Sequence, residues 1–487
     1  MVGVLAIGVD ALEPSLVDAM LEAGELPALR SILDGGGRSV VVSPAVIGSG
    51  AVWPSFATGE PATEHGIYSQ WVWDAEAMGL APASLEGVRP FWARLAAEGR
   101  RIAVLDVPFT RPERPRDGVE IVEWGAHDWV LGRTSIHPPA LRGTVAKVGR
   151  HPFAARPLGW WIPQDAGALA RFATGALEGV RRRGELALRL IEDAELVVIG
   201  FSEVHRAGHV LWQTIAEPGS RPGAFAADPE AMRKVVRETD RQIGRLVEAA
   251  GAEAAVLVFS LHGMCVTRGV PTILDGLLEA HGLAVIEGGP AAGGGAASRA
   301  LQAAKRATPL RLKWLGHRLL PTSVARRIQG AVVPLAAYDW SRTAAFSLPT
   351  DQHGWIRLNL RGREREGIVD PAAYDETCES IEQWLLGLEA GGERLVERVL
   401  RTSDGATARH SRLPDLVVHW VEGRGDRPVE TDGRVVVGAL RGTEMTGQHA
   451  PEGLLIARAE GGSELALPSE VAAEELGGLI ERMLTAS

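Results

Sequence analysis

Cysteine is nearly absent from this chain. Cys265 and Cys378 are its two cysteines in 487 residues, so a disulfide framework is excluded and a reducing compartment is allowed. Lysine is almost as scarce: Lys147, Lys234, Lys305 and Lys313 are all there is among 51 basic residues. The arginine bias, with abundant alanine and glycine, suggests a GC-rich bacterial genome. Long apolar runs are missing too. No stretch reaches the roughly 18 residues of a membrane-spanning helix, so no such helix is expected. The first residues carry no basic segment, and Asp10 and Glu13 interrupt their apolar run. They read as a first strand rather than a signal peptide, and a cytoplasmic location is expected. The net charge of −10 rules out a general polyanion binder, so no nucleic-acid partner is expected.

What remains is an ordinary globular composition, 46% hydrophobic and 23% charged, in a chain long enough for one large α/β domain with insertions. Val2 to Val9 is a short apolar run closed by Asp10, as in a buried parallel strand. A helix is expected over Pro14 to Leu21, with proline in its first turn. The pairing of helix and strand recurs: Phe91 to Glu98 with Arg101 to Asp106, Leu177 to Ile191 with Glu195 to Phe201, Pro229 to Ala249 with Ala254 to Phe259, and Tyr374 to Leu388 with Leu413 to His419. Such alternation predicts an α/β fold, a central mostly parallel sheet with helices on both faces. Two stretches stand apart as cap insertions on a single domain, residues 91–182 and 273–340. The second contains a Gly-rich linker, 288–298. It continues into 305–330, which has seven Lys/Arg residues and no acid. That segment reads either as a helical cap with solvated arginines or as a basic amphipathic helix touching an anionic surface.

Ligands of open α/β sheets bind at the carboxyl ends of strands. Asp10, His205 and His262 all fall just past expected strand ends. His205 and His209 are spaced i, i+4, so on one helix they share a face and can share a metal. Ser49 lies between Gly48 and Gly50, where the backbone permits a tight turn and close approach of a ligand. His449 stands in Gly447-Gln448-His449-Ala450-Pro451-Glu452-Gly453, a polar turn entering an apolar strand. Taken singly, each has a plainer reading: a helix cap for Asp10, a loop residue for Ser49, a satisfied histidine for the rest.

In order along the chain, however, these segments, with Ala57-Thr58-Gly59, His65-Gly66-Ile67 and His262-Gly263-Met264, resemble the alkaline phosphatase superfamily, in its type I phosphodiesterase/nucleotide pyrophosphatase branch. Gly362-Arg363-Glu364 with Gly367-Ile368-Val369 resembles a segment of bacterial members. The resemblance runs from Val4 to about Ala457. It implies an alkaline-phosphatase-like fold and a two-metal centre, usually zinc. Carried over, Asp10, Ser49 and His262 serve one ion, and His205, His209 and His449 the other, with Ser49 as nucleophile.

Two positions depart from that pattern. His205 stands where the family has the aspartate of an Asp-x-x-x-His pair, and Leu261 where it has the aspartate of an Asp-His pair. Three neutral histidines still suit zinc, but leucine removes an anionic ligand, so one or two ions per chain are expected. Glu203 is the nearest spare carboxylate. The expectation is a metal-dependent hydrolase of a small phosphate ester, acting through a phosphoserine. Leaving-group preference is expected from the cap, which carries Trp124, His127, Trp129, Trp160 and Trp161; its tryptophans read as core or cap packing before a base-stacking platform. The alternative is a family member that binds a ligand or partner without turnover. No Cys-x-Pro-x-Arg signature of a sulfatase is present, nor the Asp-rich metal site of a phosphoglycerate mutase.

Overall fold

Six consecutive apolar residues, Val4–Val9, are all buried and form the strand at the heart of the protein. In the computed structural model the described residues are 2–127, 130–154, 165–191, 194–215, 228–266, 273–287, 335–349, 353–421, 429–431, 434–436, 445–462 and 465–486. The linker 288–298, the basic segment 305–330, Trp129, Trp160 and Trp161 lie outside them. The chain divides into two compact units, one of residues 1–65, 85–267 and 444–487, the other of 66–84 and 268–443.

The first unit is built on a nine-stranded sheet. Across it the order is Glu470–Ala472, Gly37–Val42, Glu452–Arg458, Ala255–Ser260, Val4–Val9, Leu196–Phe201, Ile102–Leu105, Val119–Val122 and Ser135–His137. The five strands from Ala255–Ser260 to Val119–Val122 are mutually parallel. Their central members are apolar, but for the terminal Ser260, and buried on both faces, the pattern that parallel sheets require. Glu452–Arg458 runs antiparallel between Gly37–Val42 and Ala255–Ser260. Residues 91–182, expected to cap the site, supply strands Ile102–Leu105, Val119–Val122 and Ser135–His137 of this sheet and most of the 23-residue helix Ala166–Leu188. That helix starts eleven residues before the expected Leu177, where the Asp165 side chain caps it by accepting from the Ala168 N–H.

The second unit has its own four-stranded antiparallel sheet, in the order Ala345–Leu348, Gly354–Leu358, Leu416–Trp420, Val396–Arg401. The strand expected at Leu413 to His419 exists, as Leu416–Trp420, but belongs here and not to the parallel sheet. An apolar run after a helix looks the same in either setting; its antiparallel pairing with Gly354–Leu358 and Val396–Arg401 decides it. The Gly362-Arg363-Glu364 segment serves this unit's interior. Arg363 grips Asp415 through Nη1 and Nη2, both at 2.7 Å, while the Tyr374 hydroxyl and the Leu358 N–H also donate to that carboxylate. Every Asp415 lone-pair direction is thereby used, as a buried carboxylate needs. Among the described residues, no helix is long and apolar enough to cross a membrane.

Candidate metal centre

The helix Glu203–Leu211 follows the strand Leu196–Phe201 with one residue between, and all nine of its residues are buried. It includes Glu203, His205, Arg206 and His209, and burying four such side chains is unfavourable unless each is matched. Glu203, Arg206 and the two histidines are matched in two different ways.

Glu203 turns toward a buried charge network. Arg183, fully buried on Ala166–Leu188, donates from Nε to Glu203 Oε1 at 2.9 Å and from Nη1 to Asp106 Oδ2 at 2.7 Å. His151 Nε2 lies 2.7 Å from Glu203 Oε1. Burial opposes charge on Glu203, yet Arg183 and His151 hold its carboxyl down to about 2. The carboxylate is thus already engaged and is no spare ligand. Arg206 donates to the Ala126 carbonyl at 2.6 Å, and Asp106 accepts the Trp124 and Gly125 N–H groups at 2.7 and 2.6 Å. Together they set the loop that carries His127.

His205 and His209 meet His449, Asp10 and His262. His449 lies on a two-stranded ribbon of its own: Gly447–Ala450 pairs antiparallel with Gly263–Val266, with His449 opposite Met264. The ribbon packs tightly on the helix. A Cβ on Gly447 would meet the Gly208 carbonyl oxygen at 2.3 Å, so glycine is required for that approach. His205 Nε2 is 3.0 Å from His209 Nε2 and 2.7 Å from His449 Nε2. His205 Nδ1 donates to Asp10 Oδ2 at 2.6 Å, and His209 Nδ1 to the Gly447 carbonyl at 2.9 Å. A carboxylate and a carbonyl only accept, so both Nδ1 atoms carry the proton. In the neutral rings both Nε2 atoms then present lone pairs to each other. A cation between them resolves that opposition. Nitrogen ligands at zinc bond lengths and tetrahedral angles stand about 3.3 Å apart, close to the spacing seen. Burial pushes the His205 imidazole down to about 4 and His449 well below its ordinary range, which keeps both in the neutral, ligating form.

Asp10 sits just past the first strand. Burial would raise its carboxyl, but His205 and His262 outweigh this and hold it well below the usual carboxylate range. His262 Nε2 lies 3.4 Å from Asp10 Oδ1, and its Nδ1 donates to the Gly263 carbonyl at 3.0 Å. Asp10 Oδ1 also accepts the indole N–H of Trp53 at 3.0 Å. That indole passes over Gly8, where a Cβ would meet it at 2.5 Å. Ser49, half-buried, opens the helical turn Ser49–Ala51 that runs into Val52–Thr58. It stands one turn before Trp53 on the same helical run, so the Trp53–Asp10 bond ties that run to the centre. Leu261, directly before His262, is an apolar, buried residue of the core.

His127 lies beside this centre. Its ring stacks on His205 at 4.0 Å and 20°, and a donor atom of each of His127, His205 and His209 lies within 4.8 Å of the others. No spacing in the sequence links His127 to the other histidines, so no signal there could have found it. Its loop is closed by Glu123, which accepts the N–H groups of Val130 and Leu131 at 2.6 and 2.5 Å. Burial outweighs these donors and pushes the Glu123 carboxyl up to about 7 from 4.5. Between those values the folded protein binds more proton than the unfolded chain, so this group's contribution to stability falls as pH rises from about 4.5 to about 7. Glu123→Gln cannot titrate. The stability difference, wild type minus variant, is therefore expected to fall across that window in urea melts. A pH-independent difference would refute the assignment.

A mostly parallel α/β sheet with a histidine-rich centre at its strand ends is the arrangement of an alkaline-phosphatase-superfamily hydrolase. The profile of the type I phosphodiesterase / nucleotide pyrophosphatase family matches residues 4–444, and the chain belongs to that family. Membership places it among phosphoester hydrolases, in a family typically dependent on divalent metal. The phosphonoacetate hydrolase of Sinorhizobium meliloti 1021 has the same fold. Its complex with phosphonoacetate gives a TM-score of 0.56 at 15% identity, over 99% of this chain and 96% of that one. Its complex with phosphonoformate gives 0.55 at the same identity and coverage. Human ectonucleotide pyrophosphatase / phosphodiesterase 5 matches at a TM-score of 0.46 and 12% identity, over 99% and 94%. No curated protein matches the chain.

Proposed function

We propose that the protein hydrolyses a small phosphate ester with Ser49 as nucleophile, assisted by a divalent ion, zinc by donor type, on His205, His209 and His449. The observation that carries this reading is that the buried Nε2 atoms of His209 and His449 lie 3.0 and 2.7 Å from that of His205. An all-imidazole, oxygen-poor donor set favours zinc over magnesium or calcium. When bound, the ion supplies Lewis-acid charge beside the phosphoryl group. In the first step the Ser49 Oγ–P bond forms as the ester P–O bond breaks, the serine proton leaves, and the alcohol departs protonated. Water then attacks the phosphoserine, releasing phosphate or a phosphate monoester and restoring the hydroxyl. Two inversions give net retention at phosphorus. A second reading, ligand binding without turnover, draws on one observation, the buried Leu261 in place of a carboxylate.

The test pairs metal content with a substrate panel. His209→Ala and His449→Ala are each expected to lose most zinc after dialysis, because two remaining imidazoles fix neither affinity nor geometry. Wild-type zinc in both variants would exclude the trio. Nitrophenyl mono- and diesters of phosphate should turn over faster than nitrophenyl sulfate. Phosphonoacetate, the ligand of a structural neighbour, belongs in the same panel as a P–C substrate. A dominant sulfatase rate would exclude phosphoryl transfer, and no rate on any compound with metal present would favour the non-catalytic reading.

A further inference from the structure

We infer that Asp10 does not ligate metal but orients His205, and that the centre therefore holds one ion. The inference rests on the metal-centred reading above.

Each oxygen of Asp10 accepts one hydrogen bond, and the shorter comes from His205 itself. Oδ2 accepts from His205 Nδ1 at 2.6 Å and Oδ1 from Trp53 Nε1 at 3.0 Å. The chain from carboxylate to Nδ1–H to Nε2 is the carboxylate–histidine–metal relay. In it the outer carboxylate fixes the tautomer and ring orientation and makes the inner nitrogen a better ligand. The Gly447 carbonyl performs the same service for His209. Such a relay is available because position 205 holds an imidazole, which extends the reach of Asp10 by one ring.

Charge argues the same way. Among the described residues, Asp10 is the one carboxylate in contact with the imidazoles of His205 and His262. Glu203 is engaged by Arg183 and His151. Glu13 accepts the N–H groups of Ser15 and Met264. Leu261, buried beside His262, contributes no charge. One dication against one carboxylate leaves a net charge of +1, and two dications leave +3. In a site where Asp10, His205, His262 and His449 are at most 4% exposed, uncompensated charge of that size is strongly disfavoured.

Zinc titration calorimetry and elemental analysis on four proteins decide the matter: wild type, Asp10→Asn, His205→Ala and the double variant. One ion per chain is expected in the wild type. Asp10→Asn should still bind one, about 10- to 100-fold more weakly. In the His205→Ala background Asp10→Asn should add no further loss, because Asp10 acts through His205. Two ions in the wild type, or unchanged affinity in Asp10→Asn, would overturn the inference and leave the hydrolase reading intact. No ion in the wild type would instead sink the metal-centred reading itself. Thermal melts of the metal-free proteins establish that each variant folds. Should Asp10→Asn not fold, the wild-type ion count decides alone.

Discussion

Ser49→Ala is expected to reduce turnover of an aryl phosphate ester by at least about a thousandfold, with zinc content and melting temperature unchanged. The alanine removes the one atom that forms the bond to phosphorus. Losing a nucleophile in a displacement mechanism leaves only substrate positioning and electrostatic assistance. The fold should tolerate the change. Ser49 is half-buried at the start of a short turn, and Gly48, not Ser49, stands at the cap position. Acid quenching after rapid mixing should trap phosphate on a wild-type peptide containing Ser49 and none on the variant. If Ser49→Ala keeps activity within tenfold of wild type, the nucleophile is elsewhere and the phosphoserine route is wrong.

Arg183→Met should lower stability by about 3–5 kcal/mol. The guanidinium is completely buried between Glu203 and Asp106 and also donates to the Gly125 carbonyl at 3.2 Å. Methionine fills much of the volume but leaves two buried carboxylates facing one another. Breaking one partner of a buried ion network costs more than deleting the whole of it. Adding Glu203→Gln and Asp106→Asn to Arg183→Met should therefore recover part of the loss. The comparison is Arg30→Ala, which breaks the exposed Arg30–Asp34 pair at 3.9 Å and should cost less than about 1 kcal/mol. Equal effects of Arg183→Met and Arg30→Ala would show that the buried network does not hold this region.

Four of the five parallel strands were legible because each is an apolar run too short for a helix, bounded by polar turns; Val119–Val122, with Glu120 inside it, was not. Asp10, His205 and His262 were legible because those runs end just before them. The i, i+4 spacing of His205 and His209 survived Gly208, which the structure explains: a Cβ there would meet Met264 at 2.8 Å, so the glycine serves packing. What the sequence conceals is pairing at long range. Nothing local states that His449 sits on a ribbon with Gly263–Val266, or that Leu416–Trp420 joins a separate sheet. Nothing local states that Val119–Val122 and Ser135–His137 join the sheet beside Ile102–Leu105. His127 is hidden for the same reason, since its place depends on Arg206 and Asp106 reaching its loop from distant elements. The hydrogen bond between Asp10 and His205 lies beyond any motif, because a motif records which residues recur and not which atoms face each other.

The position of Glu452–Arg458 has a consequence for how the chain is made. It lies between Gly37–Val42 and Ala255–Ser260, so a segment synthesised early reaches its sheet only through one synthesised more than 400 residues later. While the ribosome is still at work, Gly37–Val42 has no neighbour on that side, and His449 has not yet emerged. The parallel core can collapse beforehand, but the candidate centre lacks an imidazole until His449 has been made. Pairings this distant in sequence form slowly and leave strand edges exposed meanwhile. Interruption of synthesis near residue 440 thus yields a chain that has Asp10, His205, His209 and His262 but lacks His449 and the strand Glu452–Arg458 that joins Gly37–Val42 to the sheet.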